Sequence, residues 1–263
     1  MKGNKLYGPV MRFPQHLFTA LVTPRCIALV VAIESLSSDG QVISSVNFGE
    51  MKMQAADSTS ARYYPVLLQR LRSFDTTLTK YDYEAIYYGS VFQQNYQPYS
   101  ESVEKSAFLV GFREIDQYET DQDRASLIEL ANRILEQNPI DLEVLIGISI
   151  LHHHFGITEV TRKYASVYYN FLDIIYQSGD GLCDETAFVV TSVHDEYRIV
   201  ADLGLHVTGQ ELIGDCDVLY FSAKGQKGKR IKQMFFNVRM PLASLSPTFE
   251  RSNLPEPDPW PDE

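Results

Sequence analysis

Two histidine-bearing runs, one acidic turn and a concentration of tyrosines are the places where this sequence could do chemistry. In His152-His153-His154, consecutive helical residues point about 100° apart, so the three rings diverge and at most two could share a metal with distant ligands. A partly buried helix end is the expected role. Gly179-Asp180-Gly181-Leu182-Cys183-Asp184-Glu185 gathers carboxylates in a turn. It lacks the alternating oxygens and distal Glu of a calcium loop, and reads as a helix stop with Asp180 bonding local amides. His194-Asp195-Glu196-Tyr197 contains an acid/base set, but sequence neighbours at a helix start do not face one another, and acids are favoured there in any case. Tyr63, Tyr64, Tyr81, Tyr83, Tyr87, Tyr88, Tyr96 and Tyr99 could line a groove for peptide or sugar, because each ring has an apolar body and a polar tip. They could equally pack between helices. Tyr63, Tyr64, Tyr83, Tyr87 and Tyr88 are the residues expected to bind.

No Gly-rich phosphate loop, nucleophile elbow or His-Glu-x-x-His motif is present. The expectation is therefore a protein that is not an enzyme, with no catalytic residue, no metal ligand and no cofactor. The alternative is a hydrolase or ligand-binding enzyme using Asp180, His194 and Glu196 around residues 180–197. The totals point the same way. The 263 residues are 44% hydrophobic, enough for a substantial core. A net charge of -11 repels phosphate backbones, so nucleic acid is not an expected partner. Cys26, Cys183 and Cys216 have no zinc spacing; Cys183 and Cys216 could pair or remain buried thiols.

The elements that must position these residues begin with three helices, Asp121 to Asn138, Asp141 to Phe155 and Thr158 to Gln177. Val160, Tyr164, Val167, Tyr168, Phe171, Ile174 and Ile175 recur at helical spacing, as do Leu127, Ala131, Ile134 and Leu135. Asp121 and Asp141 are placed to cap helix starts, and Pro139 and Gly156 break the rods so that they fold back on one another. Upstream, the helical pattern begins at Ala61, with Tyr63, Val66, Leu67, Arg70 and Leu71 on one face. Thr79 and Asp82 form a capping box for a helix carrying Tyr83, Ile86, Tyr87, Ser90 and Val91, which ends by Pro98. A further helix runs from Glu101 to Ile115, with Val103, Ala107, Val110 and Glu114 in line. After Gln177 the pattern changes to strands at Thr186 to Val193, Val207 to Ile213, Val218 to Ser222 and Arg230 to Val238, with a short helix at Asp195 to Leu203 and a turn at Gly225 to Gly228. The fold class expected is α+β: mainly α-helical hairpins, repeat-like, over residues 61–178, then a small antiparallel sheet over 179–245 packed on them.

The ends read differently. Residues 1–40 carry Lys2, Lys5 and Arg12, then apolar runs from Leu17 to Val22 and Cys26 to Ile33 broken by Pro24-Arg25. This predicts a secretory signal and an extracytoplasmic location. An N-terminal helix packed on the domain, in a cytoplasmic protein, is the other reading. The interruption argues against a spanning helix, so an integral membrane protein is not expected. Residues 41–60 read as a linker. Residues 246–263, with Pro247, Pro255, Pro257, Pro259 and Pro261, read as a mobile tail whose Trp260 could anchor a partner.

Two resemblances add to this. Leu135-Glu136-Gln137-Asn138-Pro139-Ile140-Asp141 resembles the junction between tetratricopeptide repeats, although the third helix is longer than that repeat and no 34-residue period is present. Tyr63-Tyr64-Pro65, Asp75-Thr76-Thr77-Leu78-Thr79, Tyr87-Tyr88-Gly89-Ser90-Val91-Phe92-Gln93, Ser178-Gly179-Asp180-Gly181, Val193-His194-Asp195-Glu196-Tyr197 and Phe235-Phe236-Asn237-Val238 together resemble an uncharacterised Bacteroidetes family, domain of unknown function 4919. That resemblance runs from Tyr63 to Val238. It implies export and implies no activity. The expectation carried forward is an exported scaffold that binds a protein or peptide on its helical surface.

Overall fold

The computed structural model describes residues 46–115, 120–222 and 230–246. Its centre is the helix Leu142–His154 (α6), buried on every side from Val144 to His152 and mostly apolar there, as a helix surrounded by other elements must be. Against it pack α4 (Val103–Arg113), α5 (Asp121–Gln137) and α7 (Thr158–Gln177); α3 (Lys80–Gly89) packs on α7, with α1 (Phe48–Ala56) and α2 (Tyr64–Arg72) on α3. The closest pairing is α6 with α7, two rods reversed at Gly156, whose φ of +78° suits glycine. On α7 the face Tyr164, Val167, Tyr168, Phe171, Ile174 and Ile175 is buried, as its periodicity predicts.

Caps explain where the rods begin. The Thr79 hydroxyl accepts from Asp82 N, and the Asp82 carboxylate accepts from Thr79 N at 2.8 Å, the predicted capping box. Asp141 accepts from Val144 N at 3.2 Å to start α6. For α5 the cap is Thr120 rather than Asp121, with the Thr120 hydroxyl accepting from Asp123 N at 3.1 Å.

The C-terminal part adds β1 (Phe188–Val189), α8 (Val193–Asp202), β2 (Val207–Ile213), β3 (Cys216–Phe221), β4 (Gln233–Asn237) and α9 (Arg239–Ala243). The strands form one sheet in the order β1-β4-β3-β2. It is mixed, not purely antiparallel, because β1 runs parallel to β4, pairing Phe188 with Phe236. Phe188 meets Tyr176 of α7 edge-on at 5.5 Å, so the sheet covers the helical layer as expected. The class is α+β, with the helices mainly N-terminal and the sheet C-terminal.

Several expectations are corrected. Residues 41–60 are not simply a linker: α1 lies within them, capped by Asn47 and buried through Met51 and Ala55. The strand predicted over 186–193 pairs only at Phe188 and Val189, since Ser192 already caps α8. Two helix faces are also turned from the predicted lines. On α2 the buried residues are Tyr64, Leu67, Leu68 and Leu71 while Val66 is exposed; on α4 they are Lys105, Phe108, Leu109 and Phe112 while Val103 is 87% exposed. The segment 1–40, the turn at 225–228 and the tail beyond Ser246 lie outside the described residues. Among the described residues no helix is long and apolar enough to cross a membrane.

Candidate functional site: a polar cleft

The tyrosines do not form the expected groove. Tyr64, Tyr83, Tyr87 and Tyr88 are buried and Tyr63 is half-buried. Their rings pack on neighbours, Tyr83 on Phe171 at 5.3 Å and Tyr87 on Tyr88 at 5.1 Å. Helix α3 is covered on several sides, so tyrosines around it become core instead of an open surface. Their hydroxyls reach the C-terminal part: Tyr88 donates to Val189 O at 3.4 Å and Tyr96 to Thr191 O at 2.7 Å.

The predicted acid/His set does not converge either. The Asp180 carboxylate accepts from Leu182 N at 2.9 Å and Thr186 Oγ1 at 2.5 Å, closing its own turn. His194 and Glu196 are two residues apart on α8 and so face opposite ways. Glu196 points to Asp217 of β3, and His194 lines a cleft on the other side. The histidine run diverges as expected: His152 stacks on Tyr164 with an interplanar angle of 6°, while His154 meets Phe155 edge-on. Cys183 and Cys216 are free thiols. Cys183, Asp184 and Glu185 bring their ligand atoms within 4.8 Å of one another on a solvent-facing turn, with Cys183 Sγ 3.2 Å from Thr186 Oγ1.

What the fold does build is a cleft of about 910 Å³ where α4, α6 and α8 begin and α5 ends. The volume is at the upper end of what small-ligand sites occupy. One wall is the segment after α3, with Gln93, Gln94, Asn95 and Gln97. It is held in place by Asn95 Nδ2, which donates to Gln137 O at 2.7 Å, and by Ser192 Oγ, which donates to Pro98 O at 3.1 Å. The opposite wall is the α5–α6 junction at Asn138-Pro139. Arg72 crosses there to donate to Glu136 O at 2.8 Å, satisfying a free carbonyl at the end of α5.

A buried cation sits at the cleft floor. Lys105 Nζ lies 2.8 Å from Asp141 Oδ2 and 3.0 Å from Glu143 Oε2, with only 4% of the lysine exposed. Burial alone would lower the lysine pKa, but the two carboxylates overcome this and hold it above its ordinary value. Beside it, burial and then the Lys105 charge lower the His194 pKa, so the imidazole is neutral at pH 7. Asp195 lines the cleft from the first turn of α8. Burial pushes its carboxyl up to about 7 even though the Tyr87 hydroxyl, donating at 2.7 Å, pulls it down. Thr191 N in turn donates to Tyr87 Oη at 3.2 Å.

Sequence reasoning named His194 and Asp141 but missed Lys105, Glu143 and the role of Asp195. A signal for Lys105 was available. It shares the i, i+3, i+4, i+7 stripe with Phe108, Leu109 and Phe112, and a lysine on a buried stripe requires carboxylate partners.

Fold and cleft together define an α+β protein with a helical layer, a small covering sheet and, among the described residues, a large cleft lined by polar and apolar groups where the two parts meet. Residues 49–246 match the model of the family described as domain of unknown function (DUF4919), and the chain belongs to that family. The match extends the resemblance noted from Tyr63 upstream to include α1. No curated protein and no solved structure matches the chain.

Proposed function

We propose that this is an exported, non-catalytic binding protein whose cleft receives a short extended peptide segment of another protein. The observation that carries this is the composition of the cleft wall. Gln97 and Asn138 line it with side-chain amides that can donate and accept, and Gln93 and Asn95, each using one amide hydrogen on Gly89 O and Gln137 O, keep their oxygens as acceptors, which is what the alternating N–H and C=O groups of an extended chain require. The end of α5 and the start of α6, with their tetratricopeptide-like junction, supply one wall of that cleft, and α7 packs behind α6. Export is supported by the basic and then apolar residues before position 34, and cell fractionation checks it.

The test is capture of peptides from a proteolysed cell-envelope extract on the immobilised chain, compared with a Ser100→Trp variant. Ser100 is exposed and lines the cleft, so the indole fills it without entering the core. Peptides enriched on the parent and lost on the variant support the reading; equal recovery on both sinks it. A second reading, a hydrolase, is favoured by one observation. Asp195 lines the cleft with a carboxyl near 7, in the range where a general acid or base works at neutral pH. Turnover of chromogenic ester or peptide substrates that Asp195→Asn abolishes would establish it.

A further inference from the structure

We infer that the peptide taken by the cleft is basic, with a lysine or arginine side chain entering beside Glu101 and Glu143. This rests on the peptide reading above and adds the chemistry of the ligand. Glu101, Glu136, Asp141 and Glu143 line the cleft against only Arg72 and Lys105, and Asp195 beside them adds charge only as its carboxyl ionises near 7. Both cations are engaged. Arg72 is buried and donates to Glu136 O, and Lys105 is shared between two carboxylates, leaving that group net negative. His194 adds no positive charge, and its Nε2 is a buried polar atom with no hydrogen-bond partner among the described residues.

Three helices begin at this cleft, and their free amides would by themselves favour an anion. Each end is already capped once from within the chain. Ser102 accepts from Lys105 N at 3.0 Å, Asp141 from Val144 N at 3.2 Å and Ser192 from His194 N at 3.2 Å. An anionic ligand would meet fewer free amides and would face the surrounding carboxylates. A cation meets an excess of acceptors, and the chain's net charge of -11 steers it inward.

The test uses the full chain and short fluorescent peptides, acetylated and amidated, that differ only in carrying lysine, glutamine or glutamate at the central positions. The lysine peptide is expected to bind about tenfold more tightly than the glutamine one, with the glutamate one weakest. Added salt should shrink the difference. Glu143→Gln should reduce the lysine preference several-fold. Glu101→Gln, at an exposed position, should do so without risk to folding, and Ser100→Trp should abolish binding of all three. Equal affinity for the lysine and glutamine peptides overturns the basic-ligand inference and leaves the peptide reading standing. Failure of every peptide overturns both. A lysine preference that survives Ser100→Trp overturns the inference by placing the attraction elsewhere on the acidic surface.

Discussion

The Tyr87 hydroxyl donates to Asp195 Oδ2 at 2.7 Å across 108 residues of sequence, tying the last turn of α3 to the first turn of α8. The same oxygen accepts from Thr191 N, so one phenol satisfies a backbone donor and steadies a buried carboxyl. Tyr87→Phe keeps the ring and removes both bonds. Leaving such buried groups unpaired costs about 1–3 kcal/mol, visible as a lower urea midpoint with unchanged slope. The Asp195 pKa should also rise, because the lost bond is the one that lowers it. An unchanged midpoint would show that the contact carries no stability.

Glu196 of α8 and Asp217 of β3 make a second acid site, away from the cleft. Both are buried, and burial raises both carboxyls, each further constrained by the other. Gln210 Nε2 donates to Asp217, while neither Glu196 oxygen has a hydrogen-bond partner among the described residues, so burial beside a second carboxyl favours a proton retained on the pair. Their ordinary values are 4.5 and 3.8, and that of Asp195 is 3.8 against about 7 in the fold. Folded pKa values above unfolded ones mean that the native state holds protons the unfolded chain has released. Stability is therefore greatest below the unfolded values and declines as pH rises through the folded ones. Asp75, held near 2 by Thr77 and then Arg70, works in the opposite sense at lower pH, and His194, held below 6.5, offsets part of the decline as pH rises towards neutrality. Melting temperature should fall from mildly acidic to alkaline buffer, and Glu196→Gln should raise it at neutral pH and flatten the slope. A wild-type profile flat across that window would contradict the retained proton.

Gly147 sits where α6 passes α4. A Cβ there would meet the Phe108 ring at 2.9 Å, closer than real contacts allow, and Phe108 is itself fully buried. Gly147→Ala gains helix propensity of about 1 kcal/mol but must displace a packed ring, at about 1–3 kcal/mol. Net destabilisation is expected, measured by chemical denaturation. Relief by Phe108→Leu in the same chain would identify the ring as the obstacle, whereas a more stable Gly147→Ala would refute the clash.

The parts legible in advance were those governed by local periodicity and caps. The rods α5 to α7, the Thr79 box and the strand Val207–Ile213 follow from neighbours within a few residues. Helix α1 was hidden because it is short and its apolar residues form no clear stripe, with Met51 and Ala55 as its fully buried residues. The faces of α2 and α4 were misplaced because each offers apolar residues on more than one side, and only the neighbouring rods decide which side is covered. Tyr87 and Asp195 are each unremarkable in their local sequence. Their pairing depends on the sheet-bearing part folding back over α3, which no local pattern encodes.

Lys105 provides the strictest test of the cleft floor. Lys105→Met preserves the length of the side chain but leaves Asp141 and Glu143 without their shared cation. Removing one member of a buried ion cluster typically costs about 3–5 kcal/mol, while replacing the whole cluster by neutral groups can be nearly free. Lys105→Met alone should therefore unfold far more readily than the triple variant Lys105→Met, Asp141→Asn, Glu143→Gln. In the triple variant the Asp141→Asn change keeps a side-chain oxygen that can accept from Val144 N and cap α6. The single variant should also raise the His194 pKa, since the lysine charge is one of the two causes lowering it. That shift is read from the imidazole proton resonances and would not follow from a general loss of packing. If Lys105→Met is as stable as the parent and His194 titrates as before, the carboxylates are neutralised by another route, and the cluster is not the electrostatic centre of the cleft.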